Sequence, residues 1–227
     1  MNLENKKWKV FLISDEFKIS NSKPYHKTSL KEIKGKNGIS YVTRTNLNNG
    51  VESIVEDNDY KKNQPNSIAF GAENATFFYQ PNEYITGNKM YNLTHKKINK
   101  YSGLFLQTIL NQSIAGCGFG YGKGLTGSRV ERRQVSLPIN ELGEPDFDFM
   151  ESYMKEIIEN KSKIYNEYLL KRIERIKNFK IVEHINEKKW KEFKILDIFN
   201  HTKGDQNQMS SLLVGNIPLV SAKNGNN

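Results

Sequence analysis

Short apolar runs alternate with polar residues over the first part of the chain, between Trp8 and Pro138. Such runs occur at residues 38–45, 66–80 and 83–94, and Gly, Asn and Pro separate them. Their length and their β-branched and aromatic residues predict strands, and the Asn49-Gly50 pair predicts a hairpin-type turn. Over residues 101–112 the apolar spacing becomes helical. The pattern therefore predicts a mixed domain in which strands are in the majority.

The pattern changes after residue 143. From Asp146 to about Asn178 the chain has neither Gly nor Pro, and apolar residues recur every seven positions. This spacing predicts one long helix with a coiled-coil-like seam. At ~1.5 Å per residue, roughly 33 residues make a rod of about 50 Å, which must pack its seam against another long helix. The seam residues are Met150, Met154, Ile157, Ile164, Tyr168 and Leu169.

A sequence motif occurs twice in the chain. Residues 6–17, KKWKVFLISDEF, return as residues 188–199, KKWKEFKILDIF, with eight of twelve positions identical. A looser match joins residues 39–49 to residues 217–227. The distance between the copies is the size of a domain with a connector, and is too long for a solenoid repeat. We therefore expect one complete unit followed by the opening of a second, with the boundary near residue 187.

Composition and charge indicate a folded protein with a polyanionic partner. The chain of 227 residues has 37% hydrophobic residues, enough to bury a core, and a formal net charge of +9. Lys and Arg release counterions from nucleic-acid phosphates, so nucleic acid is the leading candidate partner. The alternative is a Lys- and Asn-rich composition without such a partner.

The single Cys117 excludes an intrachain disulfide framework and favours a reducing cytoplasm. No apolar stretch predicts a membrane span or a signal peptide.

A glycine-rich stretch at residues 116–127 does not fit a phosphate-binding loop. Lys123 is followed by Gly124, where a Walker loop needs Ser or Thr, and the stretch does not lie between a strand and a helix. We interpret it as a surface loop whose glycines let the backbone approach a nucleic acid. The alternative is a surface loop without a ligand. Its candidate DNA-binding residues are Tyr121, Lys123, Arg129, Arg132 and Arg133.

Catalytic chemistry is not predicted. The histidines His26, His95, His184 and His201 lack the spacing of metal ligands, and Cys117 has no neighbouring base in the sequence. Asp146 and Asp148 stand where a helix begins, so we interpret them as residues that cap it and interact with its dipole. We therefore expect no metal, no cofactor and no enzymatic activity.

Four motifs in combination resemble the specificity subunits of type I restriction-modification systems and the related specificity subunits of methylase-linked type II enzymes. In that family each target-recognition domain opens with a W-x-x-F-x-I-x-D-I-F-like motif and an I-P-Y-V-[ST] strand. It closes with L-P-[IV] and D-G-E-P-D-like residues before a long helix. Here the motifs are Trp8, Phe11, Ile13, Asp15 and Phe17; residues 39–43; residues 137–139; and residues 143–146.

The resemblance implies an α+β organisation in three parts. Residues 1–143 would form a strand-rich target-recognition domain, and residues 144–179 a spacer and dimerisation helix. Residues 180–227 would form a linker and the truncated opening of a second recognition domain.

The resemblance also implies non-catalytic reading of one half of a split double-stranded DNA target. Arg44, Asn46 and Asn49 near the first turn join the loop residues as candidate DNA contacts. The implied partners are methyltransferase subunits, a restriction subunit where restriction accompanies methylation, and a second copy of the chain paired through the long helix. The alternative function is a truncated scaffold that binds methyltransferase subunits without reading DNA.

Overall fold

The computed structural model describes residues 2–35, 37–179 and 185–202, and it divides the chain into the units Met1–Arg175 and Ile176–Asn227. The second half of the looser sequence match, residues 217–227, and His184 lie outside the described residues. The strands are β1 (Trp8–Leu12), β2 (Lys18–Asn21), β3 (Ile39–Val42), β4 (Val51–Val55), β5 (Ser67–Gly71), β6 (Phe77–Gln80), β7 (Tyr84–Thr86), β8 (Met90–Thr94) and β9 (Gln134–Pro138). The helices are α1 (Ile13–Glu16), α2 (Lys100–Ile114), α3 (Gly127–Glu131), α4 (Phe147–Lys177) and α5 (Ile195–Ile198).

The strands of the first unit form three small sheets. The largest has the order β2-β8-β5-β6 and is antiparallel throughout. In the second sheet β3 lies between β4, which is antiparallel to it, and β7, which is parallel to it. The third pairs β1 with β9. The predicted mixed α+β fold class is confirmed.

The main core lies where the four-stranded sheet meets α2 and the start of α4. Phe70 and Phe77 of the sheet, Phe105 and Leu106 of α2, and Met150 of α4 belong to one buried cluster. Asn99 caps α2, because its side chain accepts hydrogen bonds from two backbone N–H groups of the first turn. These contacts hold the first turns of the long helix against the strand-rich region.

Asp146 begins the long helix α4, as its sequence position predicts. Its Oδ1 accepts a hydrogen bond from the Phe149 N–H at 2.9 Å, and its Oδ2 lies 2.5 Å from Lys6 Nζ. Burial alone would raise the pKa of this carboxyl, but the Lys6 hydrogen bond, the Phe149 N–H and the nearby lysine charges lower it overall. Asp148 in the same turn is exposed.

The two copies of the repeated motif adopt the same local turn. In the first copy α1 ends with the Phe17 N–H donating to Ile13 O at 2.9 Å. In the second copy α5 ends with the Phe199 N–H donating to Ile195 O at the same distance. Ile13 is 0% exposed in the core, whereas Ile195 is 75% exposed in the second unit. The turn is therefore a local property of the motif and does not depend on burial.

Candidate nucleic-acid interface

Polar loops from different parts of the sequence meet in the first unit. The β3–β4 loop contacts the β5–β6 turn through Asn46 Oδ1, which accepts hydrogen bonds from Asn74 Nδ2 at 3.1 Å and Thr76 Oγ1 at 3.0 Å. The glycine-rich loop joins the same turn, because the Leu125 N–H donates to Ala72 O at 2.6 Å. The β5–β6 turn is thus the centre around which the other loops are arranged.

The β7–β8 turn completes this arrangement of loops. The Ala72 N–H donates to Lys89 O at 3.0 Å, which ties the β5–β6 turn to the β7–β8 turn. Gly87 of the β7–β8 turn lies close to Tyr41 of β3, since a Cβ added at Gly87 would stand 3.1 Å from the Tyr41 hydroxyl. Four loops therefore present their side chains together, although they come from residues as far apart as Thr43 and Leu125.

An open polar cleft of about 570 Å³ lies among these loops. It brings together Arg44 from the β3–β4 loop and Tyr121 from the glycine-rich loop, two residues that the sequence nominates separately for DNA binding. Tyr121 is 95% exposed. The full lining is Tyr25, His26, Lys27, Tyr41, Thr43, Arg44, Glu52, Glu73, Asn74, Gly87, Asn88 and Tyr121.

Arg44 is held by an ion pair inside this cleft. Its Nη1 donates to Glu73 Oε2, and the second carboxylate oxygen of Glu73 lies 2.5 Å from Lys89 Nζ. The segment after β2 also lines the cleft, and there Lys27 Nζ lies 2.7 Å from Glu52 Oε1. The hydrogen bond from Lys27 lowers the pKa of Glu52, and the same contact raises the pKa of Lys27. The cleft therefore contains positive and negative charges, and its ion pairs hold the hydrogen-bond donors of Arg44 and Lys27 in place.

The other two candidates of the first turn differ in their surroundings. Asn46 is exposed and organises the loops through the contacts described above. Asn49 adopts a left-handed conformation with φ 55°, and its Nδ2 donates to Tyr79 O at 2.8 Å. The predicted Asn49-Gly50 turn is confirmed, since Gly50 follows with φ 77° and leads into β4. The Asn49 side chain thus anchors the loop to β6.

The glycine-rich loop is a tight surface turn. Gly120 and Lys123 exchange two backbone hydrogen bonds of 3.2 Å, and Gly122 between them has φ 89°. A residue with a Cβ would be strained there, so this position needs glycine. Lys123 Nζ donates to Cys117 O at 2.9 Å, and the side chain is exposed.

The three arginines that follow the loop differ in exposure. Arg129 and Arg132 are exposed on or beside α3, and they donate to Gly124 O and Ser128 O within their own segment. Arg133 is half-buried and donates to Ser113 O at 2.9 Å and to Cys117 Sγ at 3.0 Å. Arg133 therefore fastens the loop to the end of α2.

Several polar residues of the cleft were missed by reading the sequence alone. These are Glu73 and Asn74 in the β5–β6 turn, Asn88 in the β7–β8 turn, and Lys27. Lys89, which pairs with Glu73 from outside the lining, was missed as well. Each turn has a local signal, because it stands as polar residues between two apolar strands. The sequence does not show that the two turns face the same cleft.

The predicted helix seam has two environments along α4. Met150 is fully buried, and Met154 packs against the same core cluster. Ile157 and Leu169 are half-buried, whereas Ile164 and Tyr168 are 61% and 53% exposed. The strand-rich region thus buries the beginning of the seam, and Ile164 and Tyr168 farther along α4 are open to solvent.

Within the described ranges, the carboxylates, histidines and Cys117 form no group of three or more that could hold a metal ion. Among those same residues, no helix is long and apolar enough to cross a lipid bilayer. The described cleft is therefore a surface of hydrogen-bond donors, acceptors and opposed charges.

Comparison with known proteins identifies chains that are similar to this one. The chain is 27% identical over 225 residues to the type II restriction enzyme specificity subunit S.BcgI of Heyndrickxia coagulans, covering 97% of this chain and 62% of that protein. The chain thus spans less than two thirds of this relative's length.

Two solved structures are also similar. The type I restriction-modification S subunit from M. genitalium has 11% identity and a TM-score of 0.48, covering 74% of this chain and 43% of that one. The HsdS subunit from Thermoanaerobacter tengcongensis has 11% identity and a TM-score of 0.46, covering 74% and 41%.

The family model described as the type I restriction modification DNA specificity domain matches residues 5–168. This match runs from before β1 into the second half of α4, so it includes the four loops described above, strand β9 and most of the predicted seam. The chain belongs to the family of type I restriction modification DNA specificity domains.

Proposed function

We propose that this chain is the DNA sequence-recognition subunit of a restriction-modification system, and that it reads one half of a split target. The carrying observation is the convergence of four polar loops on one cleft that contains Arg44 and Tyr121. Arg, Asn and Lys donors match the acceptor pattern of base edges, and the net charge of +9 favours the phosphate backbone. Residues 1–143 form the target-recognition domain in this proposal.

The long helix has a separate role in the proposal. Residues 144–179 fix the distance between two recognition domains and dock methyltransferase subunits. The exposed apolar side chains Ile164 and Tyr168 support this role, because an isolated solvent-exposed helix gains nothing from such a stripe. A second copy of the chain, paired antiparallel through the stripe, would supply the reader of the other half-site. Residues 180–227 connect this helix to the opening of a second recognition unit.

Selection from a randomised duplex DNA library tests the reading function. The chain, alone and together with its methyltransferase subunits, should enrich one short motif. At a fixed salt concentration it should bind that motif at least ~10³-fold more tightly than a scrambled duplex. Equal binding to both duplexes, with a steep salt dependence, would contradict sequence reading and support a scaffold that assembles methyltransferase subunits.

A further inference from the structure

Glu73 holds two cations that come from two other loops. Its Oε2 accepts from Arg44 Nη1, and its Oε1 lies 2.5 Å from Lys89 Nζ. Glu73 itself stands in the β5–β6 turn and is only partly exposed. One carboxylate thus links the β3–β4 loop, the β5–β6 turn and the β7–β8 turn at the wall of the cleft.

Contacts restrict both the aliphatic carbons and the guanidinium group of Arg44. A Cβ added at Gly71 would stand 2.8 Å from Arg44 Cγ, so the stem lies directly on the backbone at the end of β5. An arginine that is free to rotate loses side-chain entropy when a partner fixes it. Here the contacts with Gly71 and Glu73 impose much of that loss before any ligand arrives.

The ion pair also changes which ligands suit Arg44. An unpaired guanidinium binds the phosphates of any sequence, whereas the Glu73 carboxylate, which Arg44 shares with Lys89, offsets part of the Arg44 charge and repels a phosphate. The N–H groups that Glu73 does not engage remain available as directed donors. The O6 and N7 acceptors of guanine in the major groove accept a pair of such donors, and they carry no formal charge for Glu73 to repel.

We propose that Glu73 is a positioning residue that makes Arg44 read a guanine in the target in preference to binding the DNA backbone. This inference rests on the proposed DNA-reading function. It predicts a guanine at one position of the half-site, and it assigns the discrimination at that position to the Arg44–Glu73 pair.

The substitution Glu73→Gln tests the pair, and Glu56→Gln is its matched control. Both changes remove one negative charge and one ion pair with a lysine, but only the first removes the partner of Arg44, and Glu56 does not line the cleft. In library selections, Glu73→Gln should lower the preference for guanine at one position by about 10- to 100-fold, while Glu56→Gln keeps it. Both variants should bind scrambled DNA slightly more tightly, because both lose a carboxylate that repels phosphate.

Arg44→Lys provides a second, independent test. Lysine can keep the ion pair with Glu73, but it lacks the planar fork that binds O6 and N7 together, so guanine preference should fall at the same position. Circular dichroism and thermal unfolding report whether each variant is folded, and Glu73→Asp, which keeps the charge but shortens the side chain, should show the same loss and replaces Glu73→Gln if that variant does not fold. Unchanged preference in the folded Glu73 variant or in Arg44→Lys, or equal loss in the Glu73 variant and Glu56→Gln, would overturn the inference. A wild-type chain without any base preference would instead overturn the proposed function.

Discussion

Single side chains in this molecule set where the long helix begins. The Asp146 carboxylate caps α4 through the Phe149 N–H and also pairs with Lys6, which precedes β1. Asp146 therefore connects the segment before β1, the end of the strand-rich region and the start of α4. Its lowered pKa means that folding favours the charged form.

Asp146→Ala should lower the free energy of unfolding by about 1–2 kcal/mol at neutral pH, because it removes a helix cap. Asp148→Ala, in the same turn but exposed, is the control and should cost less. The folded-state pKa of Asp146 is below the unfolded value, so its contribution is present above the unfolded pKa and is lost as pH falls through the folded pKa. Chemical denaturation at pH 7 and in acid measures both effects. An equal loss in the two variants would refute a capping role.

Local features were the ones that could be predicted from the sequence. The Asn49-Gly50 turn and the helices α2 and α4 depend on neighbouring residues, and the structure contains all three, with helix bounds within two residues of the predicted ones. Asn49 and Arg133 were nominated for DNA contact by chemical type alone, but each donates to a backbone carbonyl far away in sequence, Tyr79 O and Ser113 O. Glu73 was missed because its partners lie on two other loops.

Among the elements, helix α2 packs closely against strand β6 of the four-stranded sheet. The apolar spacing of α2 predicts a buried face but not this close contact. Its core side includes Gly103, Phe105, Leu106 and Leu110, and the fully buried Gly103 faces the ring of Tyr79 on β6. The Gln107 side chain also accepts the Tyr79 N–H at 2.7 Å, which gives a backbone donor of the edge strand β6 a partner outside the sheet. Glycine at 103 therefore permits the close contact of helix and strand.

Gly103→Ala should destabilise the protein even though alanine favours helix. A Cβ added at this position would stand 2.3 Å from the Tyr79 ring, and such overpacking costs about 1–3 kcal/mol, against roughly 1 kcal/mol gained in helix propensity. Thr108→Ala, at an exposed position of α2, is the control and should be neutral or slightly stabilising. Thermal unfolding distinguishes them; a higher melting temperature for Gly103→Ala would show that the ring moves aside at little cost.

The seam shows why periodicity alone does not identify a partner. A seven-residue spacing predicts apolar contact along Met150, Ile157 and Ile164, but it is the same whether the contact is a domain core or another helix. In the structure the recognition domain buries Met150, whereas Ile164 remains 61% exposed. The sequence pattern therefore located the stripe, and the tertiary structure divides it into a buried part and an exposed part.

For the whole molecule, the exposed part of the stripe predicts self-association. Ile164→Glu should weaken a dimer by at least about tenfold, since it places a charge in an apolar contact. Lys163→Glu introduces the same side chain at the adjacent exposed position and should leave the dimer intact. Sedimentation at micromolar concentration measures both. A wild-type chain that sediments as a monomer would contradict pairing through α4.

The pairing of β1 with β9 has a consequence for biosynthesis. Trp8 is opposite Pro138 and Leu12 is opposite Gln134, so the first and last strands of the recognition domain are neighbours in one ladder. Ribosomes add about 5–20 residues per second, and the early strand has no ladder partner until the late one has emerged. The nascent domain must therefore wait several seconds with its amino-terminal strand unpaired. During that interval the backbone N–H and C=O groups of β1 that pair with β9 in the folded domain are accessible to chaperones and to other nascent chains.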